Sequence, residues 1–497
     1  MHENPAPTML REGCRGLPPL DARLEPWMQE LLADPAACAD LLARHGSPVN
    51  LHDFAALSRN AAELEEAAAA TGTPLRIFAA RKANKTLGLM EASRARGLGL
   101  DLGSHRELSQ ALDLGVAPED IIVTAAVKPE PLLRLALDSG ATLALDNLDE
   151  AAAVDRLAAP DPARPGAAHA GAAHPVALRL APSPDELIAP TRFGESAATW
   201  THWAQARAQQ ARAQQDRAGQ DRAGAADPLR IDGVHLHLHG YDAAARVRAI
   251  GEAIQLLDAL RALGHRPAFL DIGGGIPMSY LDDAAQWAAF LAAREDGAAS
   301  DGGPLTWRDE PLRQFYPYHQ STVRGPWLRA VLAGEIAPGV SVAAALADRA
   351  LELRCEPGRS LLDGCGMTLA SVVQRTTTSD GVGLVGLEMN RTQCRSTSDD
   401  FLVDPILVRG SAEPSPPMTG FLVGAYCIEA ELILRRRLAF PRGVGIGDVI
   451  ALPNTAGYLM HILESASHQL PLASNLVSGD GGFVRDRIDA QPAVRPW

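Results

Sequence analysis

The sequence predicts a (β/α)8 barrel, of the α/β class, joined to a separate C-terminal β domain, and three observations carry that prediction. Short apolar runs of β type alternate eight times with Ala/Leu/Arg-rich helical stretches. After Glu356 the texture changes to valine- and glycine-rich segments, such as Ser371–Val373, Leu384–Gly386 and Phe421–Val423, punctuated by proline and glycine. A lysine, Lys82, closes the first run, where a barrel carries its chemistry. Alternation of this kind is the signature of parallel βα units, and barrel enzymes place reactive groups at the C-terminal strand ends.

The runs are Arg76–Ala80, Leu98–Leu102, Ile121–Ala125, Thr142–Leu145, Val176–Leu180, Gly233–Leu238, Ala268–Ile272 and Leu351–Cys355. A doubly wound open sheet is the alternative, because a strand count alone does not close a barrel. The chain accordingly divides into an N-terminal segment, 1–50, packing with the β domain, a barrel over 51–357, and the β domain over 358–497. Two low-complexity stretches, 161–174 and 204–227, read as surface insertions, the second partly helical. A third, 281–345, holds Thr306-Trp-Arg-Asp-Glu-Pro and Phe315-Tyr-Pro-Tyr-His319. Its aromatic content predicts an ordered insertion, either over the barrel mouth or on the barrel's outside.

Composition narrows the function classes. With 497 residues, 46% hydrophobic and 21% charged, the chain can bury a large core and form two domains. Apolar runs stay short of the ~18 residues that cross a bilayer, and the start at Met1 lacks a signal peptide's regions, so the expected location is the cytoplasm with no membrane contact. A net charge of −14 opposes a phosphate-backbone footprint, so no nucleic-acid partner is expected. The six cysteines form no CxxC pair, which leaves them as reduced thiols.

Four features could carry chemistry. An amine with a reference pKa of ~10.4 becomes a nucleophile when desolvation or a neighbouring charge disfavours its ammonium form, and the end of a buried strand offers that to Lys82. In Asp271-Ile-Gly-Gly-Gly-Ile276 the glycines Gly273, Gly274 and Gly275 let backbone N–H groups approach a phosphate, or simply make a tight turn. Glu356-Pro-Gly-Arg359 offers a carboxylate for a ring nitrogen and a guanidinium for phosphate, or an ion pair closing a turn. His235, His237 and His239 alternate on one strand face, a geometry that serves a zinc site or lets the middle imidazole, His237, stack on an aromatic ring. No HExxH or cysteine pair completes a metal site, so no metal is expected.

Taken together, Ala79-Ala-Arg-Lys-Ala-Asn84, Gly99-Leu-Asp101-Leu-Gly-Ser104 with Glu107-Leu108, the histidine strand, Asp271–Pro277, Glu356–Arg359, Cys427 and Tyr458 recur in an order that resembles the fold-type III pyridoxal-phosphate decarboxylases. That family includes the diaminopimelate, ornithine and arginine decarboxylases and is similar in fold to alanine racemase; the likeness runs from about residue 45 to 475. The resemblance implies pyridoxal 5'-phosphate as cofactor, a Schiff base on Lys82 and an amino acid or amino-acid conjugate as substrate. It also implies a homodimer with shared active sites. It assigns Asp101 and Gly240 to the cofactor site, ring stacking to His237, phosphate binding to Gly273, Gly274, Gly275, Arg359 and Tyr458, and the pyridine nitrogen to Glu356. Cys427 would reach the partner's site and protonate the substrate's α-carbon.

The chain departs from the family in places that bear on substrate. His237-Leu-His239-Gly240 stands where the family has His-x-Gly-Ser, which removes a phosphate-binding serine. Ile428 follows Cys427 where the family has an acid, which puts a diamine-type substrate in doubt. Glu431 takes the place of an aspartate, and Arg391 or Arg395, around Arg391-Thr-Gln-Cys394, is a candidate partner for a substrate carboxylate. Racemisation on the same scaffold, a non-catalytic regulatory protein, and a metallohydrolase using His235, His237 and His239 are the alternatives.

Overall fold

The computed structural model describes residues 10–158, 173–218, 227–396, 401–410 and 415–491. Each of the eight predicted runs is a strand, and they close into a barrel: Leu75–Ala80, Gly99–Leu102, Ile121–Val123, Thr142–Leu145, His174–Leu180, Leu229–Leu236, Phe269–Asp271 and Glu352–Cys355. Every neighbouring pair is parallel, and the last strand closes the ring by pairing with the first (Cys355 opposite Ile77) and the seventh (Arg354 opposite Asp271). Strands buried on both faces need apolar residues throughout, hence continuous runs such as Ile121-Ile-Val123.

The helices that follow the strands are capped by their own sequence. Ser104 accepts from the backbone N–H of Glu107 at the start of His105–Asp113, while the Glu107 carboxylate accepts from Gly103 N–H at 2.7 Å. Asp242 caps Ala243–Ala262, whose first turn delivers Arg246 beneath the glycine loop. Among the described residues no helix is long and apolar enough to cross a membrane.

The second domain is a sheet in the order Arg15–Gly16, Leu438–Phe440, Met418–Val423, Gly383–Leu387, Gly366–Thr377, Val49–His52, Ser474–Gly479, Gly482–Arg485, with Val449–Pro453 and Ile406–Val408 branching from it. Val49–His52 therefore belongs to this sheet, and the barrel begins beyond it, at helix Ala55–Ala69, not at residue 51. The chain end returns to the barrel, where the Asp486 carboxylate accepts from the Leu87 and Gly88 N–H groups at the start of helix Leu87–Ala95.

The expected insertions need correction. The stretch 161–172 lies outside the described residues. The stretch 204–218 continues helix Ala197–Ala218, because Trp200 and Ala204, one turn apart, are both buried in the barrel's core. The interval 281–345 is two things. Helices Arg324–Ala333 and Val342–Asp348 bury Trp327, Leu328 and Leu346 in the barrel core, while Phe290, Tyr316 and Tyr318 share the β domain's core with Val385 and Ile433. Backbone bonds confirm the second part: Trp307 N–H donates to Arg435 O at 3.1 Å and Arg437 N–H to Leu305 O at 3.0 Å.

Candidate active site

The first barrel strand ends in a single turn, Arg81–Ala83, which carries Lys82 over the mouth. Its Nζ donates to Asp101 Oδ2 at 2.7 Å, from the end of the second strand, and Asp101 Oδ1 accepts from the Thr124 hydroxyl after the third. Burial alone would push the Lys82 ammonium down, but the charges of Asp101 and Glu356 outweigh it and hold it above the ordinary lysine value. The expectation of a disfavoured ammonium is thus corrected: the charges of Asp101 and Glu356 favour the ammonium over the free amine. Burial likewise raises Asp101, and the Lys82 charge and hydrogen bond reverse this and hold it below the usual carboxylate value.

Glu356 ends the eighth strand's segment fully inside the mouth. Burial, and then the charge of Asp101, push its carboxyl up to about 8. His235 Nε2 lies 3.1 Å from Glu356 Oε1, and its Nδ1 lies 3.2 Å from Arg179 Nε. Arg179 is held by Asp146 Oδ1 at 2.7 Å and the Thr124 carbonyl at 2.8 Å. His235 is pushed down to about 3 by burial and by the Arg179 charge.

The glycine loop is backbone-determined. Gly273 has φ +64°, and a Cβ there would sit 2.3 Å from Leu236 O; Gly275 has φ +73°, and its Cβ would meet Arg246 Nη2 at 2.7 Å and Gly240 O at 2.9 Å. At Gly274 the nearest atom would be Glu356 O, at 3.1 Å. Arg246 braces the loop from below by donating to the Ile272 carbonyl and, at 3.0 Å, to Gly274 O. Gly240 has φ +98° with open space at its Cβ position.

The strand containing the histidines stops at Leu236, so their alternation does not persist. His235 is buried, His237 is half-buried with Phe193 edge-on at 4.6 Å, and His239 is exposed. Burial, then His235 and Lys82, push His237 down to about 3. Among the described residues the one trio with ligand atoms close together is His235, Asp271 and Glu356, within 4.8 Å of one another. His237 and His239 are not part of that trio, so the three histidines do not converge as one ligand set.

Tyr458, with φ +74°, enters from the β domain, and a Cβ on Gly358 would lie 2.5 Å from its hydroxyl. Arg359 donates to Tyr280 Oη at 2.8 Å and Ser396 Oγ at 3.1 Å, with its guanidinium over the Tyr316 ring at 4.6 Å. Lys82, Asp101, Glu356 and Tyr458 thus sense one another's charge in one mouth.

The remaining candidates gather elsewhere on the β domain. Glu431 Oε1 accepts from the Arg391 backbone at 2.7 Å, the Arg391 guanidinium donates to Ala430 O at 2.9 Å, and buried Arg395 donates to Leu432 O at 2.6 Å. These three brace a loop of the β domain. Cys427 and Ile428 are exposed beside them.

Arg179, Thr124, Asp146 and Arg246 were not singled out from the sequence. Arg179 had a usable signal: a charge inside the apolar strand Val176-Ala-Leu-Arg-Leu180 must find a buried partner.

A family model described as "Pyridoxal-dependent decarboxylase, pyridoxal binding domain" matches residues 56–295. An uncharacterized protein, y4yA, of Sinorhizobium fredii is 31% identical over 438 residues, 87% of this chain and 88% of that protein. Diaminopimelate decarboxylase of Zymomonas mobilis is 26% identical over 256 residues, so the match spans 49% of this chain and 55% of that enzyme. Among solved structures, diaminopimelate decarboxylase from Helicobacter pylori complexed with L-lysine aligns with TM-score 0.63 and 19% identity, covering 91% of this chain and 97% of that one. Arginine decarboxylase of Paramecium bursaria Chlorella virus bound to agmatine aligns with TM-score 0.60 and 16% identity, covering 89% and 100%. At these identities the structural likeness speaks for the fold.

Proposed function

The chain belongs to the pyridoxal-dependent decarboxylases, and from that premise we propose that it decarboxylates an amino acid or amino-acid conjugate, with pyridoxal 5'-phosphate attached covalently to Lys82. The observation that carries the reading is the meeting of one strand-end lysine with Asp101, Glu356 and the tight glycine loop in a single barrel mouth. These residues fit the cofactor's chemistry. Gly273 and Gly275, both at positive φ and with protein atoms where a Cβ would sit, form a tight turn whose backbone N–H groups suit a phosphate.

When bound, the cofactor's pyridinium ring accepts the electron pair released as the substrate's α-carboxylate leaves as carbon dioxide. Asp101, 2.7 Å from Lys82 Nζ, holds the lysine in the mouth by hydrogen bond and charge. Glu356 holds a proton at the ring nitrogen. His237, with Phe193 edge-on to its imidazole, would be the residue that packs against the ring. Gly273–Gly275, Tyr458 and Arg359 orient the phosphate end.

Cys427, exposed on the β domain, delivers a proton to the α-carbon in the site of a second subunit, so the working form is a homodimer. Ile428 beside it, 45% exposed, favours a substrate whose distal end is not a cationic amine. The ligands of the relatives, L-lysine and agmatine, are therefore guides to the amino-acid class only.

The test is borohydride reduction of the cofactor-loaded protein followed by peptide mapping, with carbon dioxide release screened across amino acids and their conjugates. Reduced cofactor on Lys82 and release of carbon dioxide are expected. Labelling of another lysine, or α-proton exchange without carbon dioxide release, overturns the reading.

A further inference from the structure

We propose that His235 and Arg179 form a positioning unit that stabilises the anionic form of Glu356, so that the proton it shares with the cofactor's ring nitrogen is biased toward the ring. The inference rests on the reading of Glu356 given above. A guanidinium has five donors and no acceptor, so Arg179 Nε, 3.2 Å from His235 Nδ1, requires that nitrogen to be unprotonated. The ring hydrogen then resides on Nε2, which points at Glu356 Oε1 from 3.1 Å. Protonating Nδ1 would set N–H against N–H beside a cation. The imidazole is thereby locked neutral, in one tautomer, by its neighbours.

Arg179 cannot turn away, because Asp146 and the Thr124 carbonyl hold its other two nitrogens. Thr124 in turn donates its hydroxyl to Asp101, so the lysine side and the glutamate side of the mouth share one hydrogen-bonded frame. The charged groups bearing on Glu356 and His235 are Asp101 and Asp271, which favour protonated Glu356, and Lys82 and Arg179, which oppose it. The His235 N–H adds a donor to the carboxylate without adding charge, which works against the burial and the Asp101 charge that favour the protonated form. A buried carboxyl deprived of that donor would keep its proton, and the ring nitrogen would lose its own.

The first measurement needs no turnover. Two-bond ¹⁵N–¹H correlation spectra of histidine-labelled protein, between about pH 6 and about pH 9, give the tautomer directly, with the His235 signal assigned by its loss in His235→Gln. An unprotonated Nδ1 and protonated Nε2 that do not titrate are expected; the opposite tautomer, or an imidazolium, overturns the proposal.

The second measurement is the protonation state of the ring in protein loaded with ¹⁵N-labelled pyridoxal phosphate. His235→Gln, which keeps an N–H donor, should leave the ring protonated, and His235→Leu should lower its protonation and kcat with KM little changed. A His235→Leu ring as protonated as the parent's overturns the unit. If instead Glu356→Gln leaves the ring protonated, it is the assignment of Glu356 that fails, and the two failures are told apart.

Discussion

Replacing Gly273 by alanine tests the glycine loop most directly. The residue sits at φ +64°, where a side chain costs ~1–2 kcal/mol, and its Cβ would lie 2.3 Å from Leu236 O. Relief requires a shift of roughly 1 Å between the loop and the end of the sixth strand, with overpacking strain of about 1–3 kcal/mol. Leu236 immediately precedes His237, so the shift moves the residue proposed to face the ring as well as the loop that faces the phosphate. The cofactor-free loop can relax, and binding must drive it back. The combined strain of about 2–5 kcal/mol predicts a loss of cofactor affinity of at least ~30-fold. Gly240→Ala is the control: at φ +98° with open space around its Cβ position it bears the backbone cost alone, for a loss of ~5- to ~30-fold. Affinities come from absorbance titration, and thermal melts show whether either variant is simply unfolded. If Gly273→Ala binds the cofactor as tightly as Gly240→Ala, the close approach to Leu236 does not shape the site and the reasoning fails.

Glu356→Gln should retain cofactor yet lose well over ~100-fold in turnover, more than roughly 2.7 kcal/mol of barrier; a variant close to the parent refutes the ring-nitrogen assignment. The same variant carries a stability signature in cofactor-free protein. A carboxyl raised from 4.5 to about 8 in the fold contributes stability present in full below the lower value and lost as pH rises through the upper. Between about pH 7.5 and about pH 9, where histidines in the unfolded chain are mostly neutral, the parent should lose stability faster than Glu356→Gln in denaturant melts, and parallel slopes would contradict this. Asp101→Asn removes the main anion facing Lys82, so the midpoint pH for labelling that amine should fall, and an unmoved midpoint counts against the ion pair. Cys427→Ala should shift product from amine toward aldehyde, with cofactor left as pyridoxamine phosphate, more than it slows carbon dioxide release; an unchanged product ratio makes the thiol a bystander.

The sequence by itself determined what depends on neighbours along the chain. Eight runs such as Ile121-Ile-Val123 are apolar because a strand covered on both faces has no wet side, and their spacing leaves room for one helix each. Lys82 and Glu356 were legible because they interrupt apolar runs at their ends, and Gly273–Gly275 because consecutive glycines announce a backbone that other residues cannot follow. Only the tertiary structure decided what depends on pairing between distant segments. Closure rests on Cys355 meeting Ile77, far apart in sequence. The charge of Lys82 is set by Asp101 from the next strand, against the desolvation that reading the strand end alone would emphasise. The partners of Arg391, Arg395 and Glu431 within the β domain, among them the carbonyls of Ala430 and Leu432, appear only once the loop folds back. The histidine pattern illustrates the division most sharply. Alternation put three imidazoles on one face, but the strand ends at Leu236, and Arg179 from the neighbouring strand fixes the tautomer of the one that remains inside. Hydrogen-bond direction belongs to pairs of groups in space, and a linear sequence does not carry it.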